Sequence, residues 1–385
     1  MPIKREKSIK EFFSGLFISG KMDLTFFFLL MIILLTGLVM LFSASYFFAY
    51  TNYGNNYYFI SKQAIFAVGG VLFMLFVSKI DYHILRNVAV PFYLFMVIFL
   101  TVMLILPPMV AGSGVKRWFS IGSFNFQPSE FGKFAVILLL AHLMSANQKL
   151  MKTFKFGFLV MMALIGLICL LVVLEPHLSA TILIFAIGIV MMFVGGTKFR
   201  YLSSIFIVIG AGAAALFSGV IKYAQDRITF WLDPWAAPRG EGYQTIQSLL
   251  AVGTGGLWGK GLGQSRQKYL WVPEPHNDFI FSIVCEELGL IGALIIILLF
   301  CFLMWRGFII AMRAPDKFGS LLALGLTFQV GIQMALNVLV VTNTIPNTGI
   351  SLPFFSYGGT ALIILLAEMG IILSISRCSN KKETL

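Results

Sequence analysis

The feature that most limits what this chain can fold into is its succession of long apolar runs almost free of charge. A helix rises about 1.5 Å per residue, so about 17 to 25 apolar residues are needed to cross the hydrocarbon layer of a bilayer. Runs of this kind fall near Leu24–Phe42, Gln63–Ser78, Val88–Leu106, Phe131–Met144, Phe156–Leu174, Leu178–Val194, Leu202–Ile221, Phe279–Trp305, Gly319–Val341 and Phe354–Ile375. The second and fourth are short and borrow Lys62 and Glu130 at their ends. With 59% hydrophobic and 11% charged residues, against about 25% charged in soluble domains, no water-soluble core could hide this surface. The pattern predicts an all-α polytopic membrane protein of about ten transmembrane helices.

Ten spans place both termini on one side. Most of the 28 Lys and Arg residues lie on that side, in the basic N-terminus 1–23, the tail 377–385 and the short loops between. The positive-inside rule therefore predicts cytoplasmic termini flanking a membrane domain over 24–376. The net charge of +12 is thus an orienting charge, and a nucleic-acid partner is not expected. The first run is long enough to span and follows a polar, basic start, so no cleavable leader is expected. Cys169, Cys285, Cys301 and Cys378 lack metal spacing and read as packing residues.

One large outer loop, 223–277, joins the seventh and eighth spans. A loop of this length is uncommon and usually functional. It holds WLDPW, the glycine-rich GTGGLWGKGLG at Gly253 to Gly263, and PEPH at Pro273 to His276. The glycine run is neither a phosphate-binding P-loop nor a dinucleotide fingerprint, which argues against an ATP-driven pump or a kinase. Two further outer loops carry KRWFSIGSFNFQPS and TNTIPNTGISLP. Polar loops rich in Gly and Trp on a helical scaffold point to a binding site at the outer membrane face.

Ionisable residues inside a membrane are costly and so mark candidate sites. Glu130 and Lys133 are three apart and share a helix face, which allows an internal ion pair or a direct role with substrate. Glu286 and Glu287 are adjacent and point in different directions, so at most one is expected to face a polar cavity comfortably, and structural hydrogen bonding suits both. Glu175, His142 and Glu368 complete the set, and the sequence gives no account of Glu368. Asp278 ends a Pro-bounded loop directly before an apolar run, where position alone favours a helix N-cap over catalysis. Asp233, before Pro234, reads as a turn initiator.

Four stretches in order, KRWFSIGSFNFQPSEFGK from Lys116, DPWAAPRGEGYQTIQSLLAVGTGGLWGKGLGQSRQK from Asp233, PEPHNDFIFSIVCEELGLIG from Pro273 and PNTGISLPFFSYGG from Pro346, resemble the SEDS family of bacterial membrane proteins. The resemblance spans nearly the whole chain. Its finer features are similar to the division-type FtsW and SpoVE branch more than to RodA. Departures are His177 and Ser179, where the family usually has Asp and Gly, Thr360 and Ala361 in place of a Ser-Ser ending, and Glu368 in place of an apolar residue.

The resemblance implies a peptidoglycan glycosyltransferase that polymerises lipid II at the outer face of the bacterial cytoplasmic membrane, during division or shape maintenance. It implies a class B penicillin-binding protein as partner, with other divisome or elongasome membrane proteins. It also moves Asp278 from cap to catalyst, since the family's catalytic Asp falls there. The chemistry asks for a base near the attacking sugar hydroxyl and for positive charge near the leaving pyrophosphate. A divalent cation, Mg2+ or Mn2+, or the outer-face cations Lys116, Arg117, Arg227, Lys260, Arg266 and Lys268 could supply that charge. Trp118, Gln127, Glu130, Lys133, His276 and Ser356 join them as candidate substrate contacts. Two other classes stay open: a lipid II flippase, whose path buried Glu130, Lys133, Glu175 and Glu286 could line, and a non-catalytic scaffold for its transpeptidase.

Overall fold

A computed structural model describes residues 17–106, 118–121, 124–205, 229–240 and 242–382. The described helices are α1 (Leu24–Tyr53), α2 (Tyr58–Val77), α3 (His83–Ile105), α4 (Pro128–Ala146), α5 (Met161–Leu174, entered through a π-helical stretch Phe154–Val160), α6 (Leu178–Val194), α7 (Tyr243–Gly255), α8 (Ile280–Arg313), α9 (Lys317–Val341) and α10 (Gly359–Lys382). Eight are long and apolar enough to cross a bilayer, counting the π-helical stretch with α5, and α6 is a shorter apolar helix. The protein is a multi-pass membrane protein built almost wholly of helices. The expected span Leu202–Ile221 falls mostly outside the described residues. The exception to all-α is a hairpin of β1 (Phe119–Ile121) and β2 (Phe124–Phe126), paired antiparallel with Phe119 opposite Phe126.

Several boundaries differ from the sequence expectation. The first helix continues past Phe42 to Tyr53, where Gly54 in the left-handed region ends it. Ser43 and Ser45, in the added stretch, are buried. The last helix starts at Gly359 and not at Phe354. Phe354 itself sits at φ 64°, and the Tyr357 amide bonds to the His276 carbonyl at 2.9 Å, outside any helical ladder. The stretch expected as loop over 223–277 contains α7, which packs on α8 so closely that a Cβ at Gly255 would strike the Cys285 carbonyl.

The glycine-rich segment has a structural task. Gly289 lies at φ 68°, ψ −170° and breaks the helical ladder inside α8. In an unbroken helix the amides of Leu290 and Ile291 would bond to the carbonyls of Glu286 and Glu287. Here the Leu290 and Ile291 amides bond instead to the Gly256 and Leu257 carbonyls, at 2.9 and 3.2 Å. The Glu286 and Glu287 carbonyls accept from the Lys260 and Gly261 amides, both at 3.0 Å. The loop thus splices into the helix and satisfies all four freed groups, which a lipid environment demands. Gly259 and Gly289 are held backbone to backbone at this crossing, each leaving no space for a side chain at the other. Leu257 and Trp258, the latter 80% exposed, face outward, consistent with contact to lipid.

Candidate functional site

The buried carboxylates at the splice are fully engaged. Glu287 bonds to Lys268 at 2.9 Å and to the Ser43 hydroxyl at 2.7 Å. Glu286 bonds to Lys260 at 2.5 Å, to the Ser265 hydroxyl, and to the amides of Arg266 and Gln267 at 3.1 and 3.2 Å. Both thus have the structural hydrogen-bonding role expected of them. The residues diverge on the helix, but the loop from Lys260 to Lys268 wraps across both and brings each its own lysine. Lys268 is corrected as a substrate contact. It is 4% exposed, and its ammonium spends its donors on Ser43, the Gly263 carbonyl and Glu287.

The start of α8 looks different. Its N-cap position falls on Phe279 and no side chain caps it there, so the cap reading of Asp278 finds no support. The Asp278 main-chain carbonyl accepts from Asn337 Nδ2 at 2.8 Å, and the same nitrogen donates to the Ile350 carbonyl at 2.6 Å. Asn337 therefore ties the end of the loop before α8 to the turn before α10. At that turn Gly349 adopts φ 70°, and a Cβ there would stand 3.1 Å from Asp278 Oδ2 and 3.8 Å from Ser179 Oγ. The turn holds its shape through the Gly349 amide, bonded to Asn347 Oδ1 at 3.1 Å, and through Asn347 Nδ2, which donates to Gln244 on α7 at 3.1 Å. Ser179, at the start of α6, donates its hydroxyl to the Thr348 carbonyl.

Two further groups stand between α5 and α6. His177 Nδ1 lies 3.1 Å from the Ser129 hydroxyl, and its Nε2 is 3.2 Å from Gln127 Nε2. Glu175, at the end of α5, is buried with neither carboxyl oxygen bonded among the described residues. Burial pushes its carboxyl up to about 7. Deeper in the bundle Lys133, 2% exposed, pairs with Glu130 at 2.7 Å and reaches Gln333 Oε1 at 3.4 Å. Gln333 Nε2 in turn donates to the Ser351 carbonyl at 3.1 Å. One turn, Asn347 to Ser351, is thus held by α6, α7 and α9, with α4 linked to it only through Gln333, and it faces Asp278.

The remaining sequence candidates sort by position. Lys116, Arg117 and Arg227 lie outside the described residues. Trp118, 38% exposed, precedes the hairpin, and Gln127 occupies the N-cap position of α4. Lys260 is committed to Glu286. Ser356 is a clamp: its hydroxyl accepts from the Leu352 amide at 2.8 Å and donates to the Asn277 carbonyl at 2.9 Å. His276 is likewise structural, with its ring centroid 4.2 Å from Phe59 and 4.9 Å from Phe48. Burial drives its pKa down to about 4, so the ring is neutral at pH 7. Asp233 accepts from the Trp235 amide at 3.1 Å, the turn expected of it. Glu368 meets Gln329 Nε2 at 2.6 Å.

Sequence reasoning missed the amides of α9. Gln329, Gln333 and Asn337 recur every fourth residue on one buried face. Extending the rule for intramembrane charges to amides would have found them. As for a cation, no three His, Cys, Asp or Glu side chains among the described residues cluster closely enough to hold one. A cage made by the protein alone does not fit these residues.

The comparisons with known proteins cover most of the chain. The family model described as "Cell cycle protein", for FtsW, RodA and SpoVE, matches residues 23–381. Stage V sporulation protein E of Bacillus subtilis is 41% identical over 350 residues, 89% of this chain and 94% of that protein. A probable peptidoglycan glycosyltransferase FtsW of Geobacter sp. (strain M18) is 38% identical over 348 residues, covering 88% and 92%. A chain from a structure titled as the coordination of polymerization and crosslinking by a peptidoglycan synthase complex aligns with TM-score 0.78 and 26% identity, over 93% of this chain and 98% of that one. The crystal structure of the rod shape determining protein RodA of Thermus thermophilus aligns with TM-score 0.68 and 25% identity, over 92% and 97%. With a family model spanning nearly all its length and such relatives matched end to end, this chain belongs to the FtsW, RodA and SpoVE family of cell cycle proteins.

Proposed function

We propose that the protein is a peptidoglycan glycosyltransferase that polymerises lipid II, with Asp278 as its general base. The observation that carries the reading is the seating of Asp278, with its carboxylate against the Gly349 backbone and its carbonyl fixed by Asn337. A sugar hydroxyl of one lipid II attacks the anomeric carbon of the lipid-linked chain. Asp278 takes the hydroxyl proton as the new glycosidic bond forms, and undecaprenyl pyrophosphate departs with the bonding electron pair. A base so placed contributes about 10²- to 10⁴-fold. The names of the relatives support the activity, since several are probable peptidoglycan glycosyltransferases.

Charge for the departing pyrophosphate comes in this reading from Lys116, Arg117 and Arg227 in the outer loops, or from a divalent cation such as Mg2+ or Mn2+ that arrives with the substrate. The partner is a crosslinking enzyme of the class B penicillin-binding protein type, a reading supported by the solved relative's title, which couples polymerization to crosslinking. The site of action is the outer face of the bacterial cytoplasmic membrane, including the division septum, alongside other divisome or elongasome proteins. A flippase reading needs buried charges lining a path. Glu286, Lys133 and Glu130 are each closed by an internal pair, which weighs against it.

The test is polymerisation of fluorescent lipid II by the purified protein, with and without its crosslinking partner and divalent metal, comparing wild type with Asp278→Asn at equal thermal stability. The expected outcome is long strands from wild type and none from the variant. A folded, fully active Asn variant would overturn the role of Asp278. If wild type makes no polymer under any condition, the scaffold and flippase readings return.

A further inference from the structure

At the opposite end of the bundle from Asp278, a cavity of about 590 Å³ opens where α1 begins and where α8 and α10 end. Its lining carries four cationic side chains, Lys21, Arg306, Arg313 and Arg377, and one carboxylate, Asp23. Asp23 is already used twice: it caps α1 through the Phe26 amide at 2.9 Å and pairs with Arg306 at 2.8 Å. Arg377 gives Nη1 to the Gly20 carbonyl at 2.6 Å, while its Nε is buried with no hydrogen-bond partner among the described residues. The Arg313 guanidinium is exposed and makes no ion pair among the described residues.

The positive-inside rule accounts for cations at this end but asks only that they be present in loops. It does not account for arginines from two separate helices converging on one cavity with a donor left unmet. The rest of the lining is mixed: Leu24 and Ile309 give an apolar wall, and the Ser379 hydroxyl stands beside the cations. A net positive, hydroxyl-bearing recess with an apolar wall, set at helix ends, fits a phosphate carried on a glycerol backbone. We propose that this cavity binds a phosphate-bearing anion, supplied by the headgroup of an anionic phospholipid in the adjoining leaflet. The proposal stands apart from glycan polymerisation and holds whether or not that activity is confirmed.

The test uses the full-length protein stripped of lipid in a zwitterionic detergent. Native mass spectrometry and thermal melting are followed during titration with phosphatidylglycerol, with phosphatidylcholine and with inorganic phosphate. Phosphatidylglycerol should be retained and should raise the melting temperature, while phosphatidylcholine should do neither. Arg313→Gln should weaken retention about fivefold, and Arg313→Glu should weaken it further. Arg313 is exposed, so both variants should fold even if Arg377→Gln does not. Stabilisation by inorganic phosphate alone, lost in Arg313→Glu, would support the anion site and assign it a soluble source. Equal retention of the two lipids by wild type with no effect of phosphate would overturn the proposal, as would wild-type binding in both Arg313 variants.

Discussion

At Gly289 the chain breaks α8 and mends it with a loop; at Gly349 it turns tightly against Asp278. Both joints need a glycine at positive φ and both stand beside carboxylates, yet they treat those carboxylates differently. At the splice, Glu286 and Glu287 are each bonded to a lysine, and Ser265 donates to both, through its hydroxyl to Glu286 and its amide to Glu287. At the turn, the bond that fixes Asp278 runs from Asn337 to its main-chain carbonyl. That bond does not use the carboxylate. The splice is mended around two acidic side chains, and the turn is tied to the loop before α8 through a main-chain carbonyl.

The sharpest way to break the comparison is Gly289→Ala. The new Cβ would fall on the Gly259 amide and the Leu257 carbonyl, at a φ that L-residues resist. Because backbone cannot yield as a side chain can, we expect a loss of about 3 kcal/mol or more, read as a collapsed melting temperature in detergent. A melting temperature near wild type would mean that the splice is dispensable. Next comes Glu287→Gln, which strands Lys268 in a buried site and should cost about 3 kcal/mol. The double variant Glu287→Gln, Lys268→Met should recover much of that loss. Additive losses in the cycle would show that the pair is not coupled.

Gly349→Ala tests the other joint. It should cost only about 1 kcal/mol of stability through the left-handed φ. Its added methyl, however, presses on the Asp278 carboxylate, and a displacement of order 1 Å can cost about 10²-fold in rate. The expected signature is a protein that melts nearly as wild type and polymerises lipid II far more slowly. If instead stability falls sharply and the surviving folded fraction is fully active, the turn is structural like the splice.

How far the sequence announced these two joints depends on the kind of signal each leaves. Apolar runs mark helices directly, so Leu178–Val194 and the bodies of most other spans fall where the hydropathy places them. Ends were missed wherever a polar residue is satisfied inside the bundle. The first helix runs on through Ser43, whose partner Glu287 lies far off in the chain. The glycine run drew attention for the right residues, but its geometry is set by an acceptor pair in α8 that no local pattern reveals. Asp278 stood out only through family resemblance, because its surroundings come from Asn337, Gly349 and Ser179, each from a different segment. Long-range pairs of polar groups were the illegible part, and they are what builds the site.

The smallest effect concerns two titratable groups outside the spans, Glu175 between α5 and α6 and His276 in the loop before α8. Glu175 has its carboxyl raised to about 7, against about 4.3 for the unfolded chain. The folded state therefore holds a proton that the unfolded state has released, and stability rises as pH falls from 8 toward 4.5. His276 works in the opposite sense: with its pKa at about 4, against about 6.5 unfolded, stability is lost as pH falls from 6.5 toward 4. Between pH 8 and 6.5 a Glu175 gain of about 0.8 kcal/mol outweighs a His276 loss of about 0.4 kcal/mol, so the net gain should be about 0.4 kcal/mol. Glu175→Gln should remove the gain across that window and leave the acid-side decline in place. His276→Phe should do the reverse, since a phenyl ring keeps the stacking on Phe48 and Phe59 and removes the proton site. Melting curves of the three proteins at half-unit steps decide it. Parallel curves from pH 8 to 6.5 for wild type and Glu175→Gln would mean that the Glu175 carboxyl ionises in the folded protein as readily as in the unfolded chain.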